Sequence, residues 1–309
     1  MIHLFGPVAS RRLGRSLGID LVPLKTCTLD CIYCECGSTT VQTIERKEYV
    51  PYDAVVDELL AWWKEGGQAD FITLAGSGEP TLHSRFGDII TTAKKKTGIP
   101  VCILTNGTLF YLPDVRKEAA RSDLVIPSLD AADPDTYQEI NRPHAECTLE
   151  RHLEGLRTFS REYSGRLWIE IFLIPGINDS PEHIEKLAAA AADLNPEKIQ
   201  INTAVRPPAE GFVDAIPESR MQDLASRFTP NAEVIASYRV AVKHAVPGTR
   251  EQVLALLLRR PCTTREIADG LGISPSDAAS FIQELLTGGY IIRETREDEE
   301  YYMGAEQAR

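Results

Sequence analysis

Cys27, Cys31 and Cys34 lie within one short run, CTLDCIYCECG. Their C-x3-C-x2-C spacing lets three thiolates hold three irons of a [4Fe–4S] cluster. The fourth iron is then left without a protein ligand, whereas an ordinary electron-transfer cluster takes four cysteines. An open iron suits the amine and carboxylate of S-adenosylmethionine (SAM), whose sulfonium a reduced cluster can cleave to a carbon radical. The rival reading is a structural zinc site with Cys36 as its fourth thiolate; Cys36 as a fourth cluster ligand is another. Zinc sites ordinarily pair two short Cys/His hairpins, and the chain offers no second pair.

Tyr33 precedes Cys34, so the triad reads C-x3-C-x-aromatic-C. On these residues the chain resembles the radical SAM superfamily. The resemblance implies a cluster held by Cys27, Cys31 and Cys34, SAM on the open iron, and an external one-electron reductant of the flavodoxin or ferredoxin type. Hydrogen abstraction from substrate by a 5′-deoxyadenosyl radical would follow, with Tyr33 packed against the adenine or the cluster.

Further along, AGSGEPTLH places Gly76, Ser77, Gly78 and Glu79 after an apolar run, where glycines permit close backbone approach to a ligand. The stretch resembles the superfamily's GGEP motif, which meets the amino group of SAM; Ser77 departs from it, and a plain turn is the alternative. The resemblance also makes Thr105 and Asn106 SAM neighbours, although Asn106 reads equally as a turn residue. Ser128 and Asp130, two apart on a strand, share a side and would reach ribose or the methionine carboxylate, unless one caps the next helix. Gln200 and Asn202 share a face suited to adenine or substrate. Glu170, set in an apolar run, needs a partner if it points inward. Cys102 reads as core, and Cys147 and Cys262 lack an activating neighbour.

Positioning these groups falls to a repeating pattern. Apolar runs at 18–24, 70–75, 101–105, 123–129, 167–174 and 198–203 alternate with helix-like segments near 51–65, 84–97, 113–121, 148–163, 181–193 and 217–228. Such alternation predicts βαβ units and a parallel sheet; six repeats predict a partial or full β/α barrel, and the resemblance to the radical SAM superfamily implies the partial (β/α)6 TIM-like form, an α/β fold. Each motif falls at the C-terminal end of a predicted strand, where barrel active sites form. Residues 1–246 read as this core. Residues 247–309, after a hinge at Pro247-Gly248, read as three helices and a hairpin resembling a winged helix-turn-helix.

The 309 residues carry a formal charge of −12, with 43% hydrophobic and 25% charged residues, the balance of a soluble globular protein. The absence of a signal-like or membrane-length apolar stretch, and an oxygen-sensitive cluster, point to the cytoplasm. Acidity argues against a broad nucleic-acid surface, though Arg11, Arg12, Arg15 and Lys25 form a local basic track. Residues 249–309 hold seven arginines, no lysine and eleven acidic residues. The candidate recognition helix SPSDAASFIQELL has no basic residue, which argues against DNA and against the alternative of a redox-sensing iron–sulfur transcriptional regulator.

Three segments, FGPVASRRLGRSLGIDLVPLKTCTLDCIYCE, DTYQEINRPH and INTAVRPPAEG, resemble a superfamily branch grouped with the wyosine (tRNA-imidazoguanosine) synthetases. That grouping implies an RNA base as substrate. The acidic surface and C-terminal module favour a protein or peptide instead, and a small metabolite is a third option.

Overall fold

The computed structural model describes residues 3–10, 12–235, 248–296 and 299–305. The expected boundary between residues 246 and 247, its hinge residue Pro247, and Arg11 lie outside the described residues. Strands β1 (Leu4–Ser10), β2 (Gly14–Ile19), β3 (Thr26–Cys27), β4 (Val41–Gln42), β5 (Phe71–Leu74), β6 (Val101–Thr105), β7 (Leu124–Pro127), β8 (Arg166–Phe172), β9 (Lys198–Asn202) and β10 (Glu233–Val234) follow in chain order. One sheet runs β1-β2-β5-β6-β7-β8-β9-β10. From β2 onward every pairing in it is parallel, while β1 joins β2 antiparallel.

The strands are apolar because helices cover the sheet: all four residues of β7 are buried, as are four of five in β6, the pattern of a doubly covered parallel sheet. Around it lie α1 (Tyr52–Lys64), α2 (Phe86–Thr97), α3 (Pro113–Ala119), α4 (Pro134–Asn141), α5 (Leu149–Glu162), α6 (Pro181–Asp193) and α7 (Glu218–Ala225). Their starts are written locally. Pro opens α3, α4 and α6, and the side chains of Asp133, Thr148 and Ser180 accept N–H groups of the first turns of α4, α5 and α6. The fold is the expected α/β partial barrel. The sheet is wider than six strands, gaining β1 and β10 at its edges, and the first parallel strand sits at 14–19 rather than 18–24.

The C-terminal residues form α8 (Arg250–Leu257), α9 (Thr264–Leu271), α10 (Pro275–Thr287) and an antiparallel ribbon of β11 (Ile291–Arg296) and β12 (Glu299–Gly304). Val253, Leu256, Leu257, Ile267, Ile282 and Leu285 make their core, which Val8 of β1 also enters. Ion pairs fasten this unit to the barrel's strand ends: Arg259 Nε lies 3.0 Å from Asp20 Oδ2, and Arg206 Nη2 lies 2.6 Å from Glu266 Oε1.

Candidate active site

The cysteine loop is pinned at both ends before any side chain is considered. Thr26 and Cys27 pair with Val41 and Gln42, and the Thr43 N–H donates to the Cys27 carbonyl at 2.9 Å. Asp30 and Ile32 donate their N–H groups to the Asn141 and Ile140 carbonyls at the end of α4. A cavity of about 260 Å3 opens beneath. It is lined by Cys27, Cys31, Cys34 and Cys36, by Gly76, Ser77, Gly78 and Glu79 after β5, by Thr105 and Asn106, and by Ser128 after β7. Cys27 and Ser128, 101 positions apart, thus meet at the C-terminal strand ends.

The thiols are costly to ionise unaided. Burial pushes Cys27 up to about 12 and Cys31 well above the usual thiol range. Cys36 donates to Cys34, which lowers Cys34 and raises Cys36. Two amides stand ready for negative sulfur. Asn106 Nδ2 donates to Cys27 Sγ at 3.5 Å, and Asn141 Nδ2 donates to Cys31 Sγ at 3.4 Å. A metal centre would supply the positive charge that these buried thiolates need. Among the described residues no three His, Cys, Asp or Glu side chains converge to hold one metal ion. Four thiols line the one chamber, two of them backed by amide donors, and such a set fits a multi-iron cluster. Cys36 lines the same chamber, but carbonyls hold its thiol, Gly76 O at 3.4 Å and Arg259 O at 3.2 Å.

The GSGEP segment pairs with the start of the cysteine loop. The Lys25 N–H donates to the Ser77 carbonyl, and the Glu79 N–H to the Thr26 carbonyl. A Cβ on Gly78 would sit 1.8 Å from the Thr26 oxygen, so this position admits only glycine. Gly76, at φ +142°, makes room for the Asp20 carboxylate. The close approach at both glycines is therefore to the protein's own chain. Ser77 donates to Asp20 from its hydroxyl and its backbone N–H. Glu79 is 2% exposed. Its Oε1 accepts from the Thr81 N–H and the Thr105 hydroxyl, and its Oε2 from the Asn106 N–H at 2.8 Å. Burial raises its pKa against the pull of these bonds.

A second cavity of about 310 Å3 adjoins the first and shares Cys34, Cys36, Gly76, Ser128 and Glu170 with it. Tyr33, Asp130 and Asn202 line this larger chamber. The Tyr33 hydroxyl donates to Asp130 Oδ2 at 2.6 Å, and its ring stacks on Phe172 with centroids 3.9 Å apart. Asn141 Nδ2 and the Phe172 N–H also donate to Asp130. Burial pushes the Asp130 carboxyl up to about 6, while these three bonds act the other way. Glu170 does point inward, and its partner is Arg12 Nη1 at 2.6 Å; Asn202 Nδ2 lies 3.3 Å from its other oxygen. Gln200 faces Glu233 at the sheet edge instead. Cys102, Cys147 and Cys262 are buried.

The sequence marks neither Asn141 nor Arg12, the latter seen only within a basic track, as a site residue. Asn141 lies in the DTYQEINRPH segment, noted only for its likeness to a family branch, and Arg12 finds Glu170 across 158 positions.

A parallel α/β barrel with thiols, a GSGEP turn and two joined chambers at its strand ends defines the radical SAM class, and residues 21–189 match the model of the radical SAM superfamily. The chain belongs to that superfamily: it is an enzyme of the kind that uses a [4Fe–4S] cluster and SAM. Within it, the chain is 32% identical over 314 residues to a UPF0026 protein of Methanocaldococcus jannaschii, covering 98% of this chain and 96% of that one, which places it in that branch. It is also 35% identical over 296 residues to a Brachyspira hyodysenteriae protein named GTPase Obg. That match takes in 94% of this chain but spans only 44% of the longer relative. Among solved structures, TYW1 with a lysine-pyruvate adduct bound shares the fold, with a TM-score of 0.53 and 20% identity over 74% of this chain and 76% of that one. Among the described residues no helix is long and apolar enough to cross a membrane.

Proposed function

We propose that Cys27, Cys31 and Cys34 ligate the cluster, and that SAM lies along Gly76–Glu79, Thr105, Asn106 and Ser128. The larger chamber, bounded by Tyr33, Asp130 and Asn202, then receives the substrate. When bound, cluster and SAM supply a 5′ carbon radical able to take hydrogen from an unactivated carbon. The protein's residues do the rest. The amides of Asn106 and Asn141 steady two thiolates. Glu79, held by Thr81, Thr105 and Asn106, fixes a buried carboxylate beside the cluster chamber. Tyr33 and Asp130 form a rigid wall between the cysteine loop and the substrate space.

The observation that carries this reading is the junction of two chambers at Ser128, Cys34 and Cys36, one walled by four thiols and the other free of them except at the join. The electron comes from an external flavodoxin- or ferredoxin-type donor, in the reducing cytoplasm. We read the chain as a core of residues 1–246 closed by a module of residues 247–309. That module, shaped like a winged helix, acts as a lid: α10 has no arginine or lysine, which favours this role over DNA binding. A protein or peptide substrate accords with the acidic surface better than an RNA base does.

Anaerobic reconstitution followed by dithionite and SAM tests the reading. The wild type should take up about four irons per chain and release 5′-deoxyadenosine and methionine, and Cys31→Ala should lose both properties. SAM cleavage retained in Cys31→Ala would contradict it.

A further inference from the structure

Four arginines line the larger chamber: Arg12, Arg206, Arg259 and Arg260. Three have carboxylate partners. Arg12 meets Glu170, Arg206 meets Glu35 and Glu266, and Arg259 meets Asp20. Arg260 has no ion-pair partner among the described residues, and its Nε is sealed from solvent with no hydrogen-bond acceptor. Glu266 feels the charge of Arg260, yet both its oxygens are committed: Oε1 to Arg206 and Oε2 to the Thr263 N–H. A sealed donor without an acceptor is unfavourable; the residue as a whole is only partly buried, so its outer nitrogens are the atoms that an anion from the chamber can meet.

The position of Arg260 says which molecule brings it. Arg260 lines the larger chamber and not the chamber of the cysteines, so it faces substrate rather than SAM. It lies just beyond α8, in the C-terminal module, and lines the chamber together with barrel residues.

We infer that Arg260 is a specificity residue that binds a carboxylate of the substrate, clamping it between the C-terminal module and the strand ends. This rests on the larger chamber being the substrate site. A guanidinium fork matches a carboxylate in geometry and charge. A phosphate dianion fits poorly, because Glu35, Asp130 and Glu170 also line the chamber and only one arginine is uncommitted. The carboxylate belongs either to a free small acid or to an acidic side chain of a peptide.

Phenylglyoxal labelling of the anaerobically purified full chain, read by peptide mass spectrometry, tests this. Arg260 should react faster than the paired Arg206 and Arg259. Acetate should slow its labelling severalfold relative to chloride at equal ionic strength, leaving the exposed Arg265 unchanged. No acetate effect, or equal protection by inorganic phosphate, would overturn the inference. As a second measurement, Arg260→Gln should melt no lower than the wild type and lose any acetate-dependent rise in Tm. A lower Tm with the acetate response intact would instead assign Arg260 to capping α8. Succinate and a capped aspartyl peptide separate the two sources: whichever protects at lower concentration carries the carboxylate. Iron content and SAM cleavage, measured on the same wild-type preparation, report on the cluster reading separately.

Discussion

Tyr33 and Asp130 are joined by a 2.6 Å hydrogen bond across 97 positions of sequence. The residue between Cys31 and Cys34 is thereby tied to the end of β7. The same carboxylate takes Asn141 Nδ2, which also donates to Cys31 Sγ. Loop, strand end and α4 therefore share one buried acceptor, and movement in any of them would be felt at the thiols.

Asp130 should make stability pH-dependent. Burial raises its pKa from 3.8 to about 6, so the fold favours the protonated form. The cost of ionising it is absent below about pH 4, grows as pH rises through about 6, and is then constant at about 3 kcal/mol or less. Urea melts of cluster-free protein should show Asp130→Asn gaining on the wild type across that window and no further above it. A difference independent of pH would rule out this role.

Gly78→Ala should be severe although it adds one methyl group. Its Cβ would lie 1.8 Å from the Thr26 carbonyl oxygen, a backbone atom that cannot swing aside. Overpacking of this kind costs about 3 kcal/mol, and the shift falls on the residue before Cys27. Thermal melts should show the loss, with poor iron incorporation; normal iron uptake would mean that the loop adapts.

Much of this was legible because it is local. Strands β5 to β9 are apolar runs whose ends carry the motifs, and the cysteine triad is a single stretch. The first parallel strand was misplaced because GRSLGI opens polar: its Ser16 is buried against Thr73, hydroxyl to hydroxyl at 2.6 Å, a pairing invisible until two strands meet. β1 was missed because Gly6 and Pro7 interrupt its alternation. The ion pairs around the larger chamber were out of reach for another reason. Arg206 and Glu35 stand 171 positions apart, and only the folded sheet brings them together.

Asn141→Ala should spare the fold more than the chemistry. The variant removes an N–H donor from Cys31 Sγ and one from Asp130. Fewer donors to a ligating sulfur leave more negative charge on it, which disfavours adding an electron. The reduction midpoint, read by electron paramagnetic resonance titration, should move to a more negative potential, and SAM cleavage should fall by about 10- to 100-fold. An unchanged midpoint would show that this amide does not tune the centre.

Arg206→Met tests how the C-terminal module is held. Arg206 is 6% exposed and bridges Glu35, in the cysteine loop, to Glu266 of α9. Removing the cation leaves two carboxylates without their shared partner. Because they are 28% and 32% exposed, water softens the loss, and we expect about 3 kcal/mol, the low end for breaking a buried pair. The effect should be directional: hydrogen exchange should rise in α9 and in β11, while β6 and β7 keep their protection. Arg206→Lys retains the charge but not the fork that reaches both acids, so it should recover only part of the protection. If α9 exchanges as in the wild type in the methionine variant, the module is held by its apolar contact with Val8 and not by this bridge.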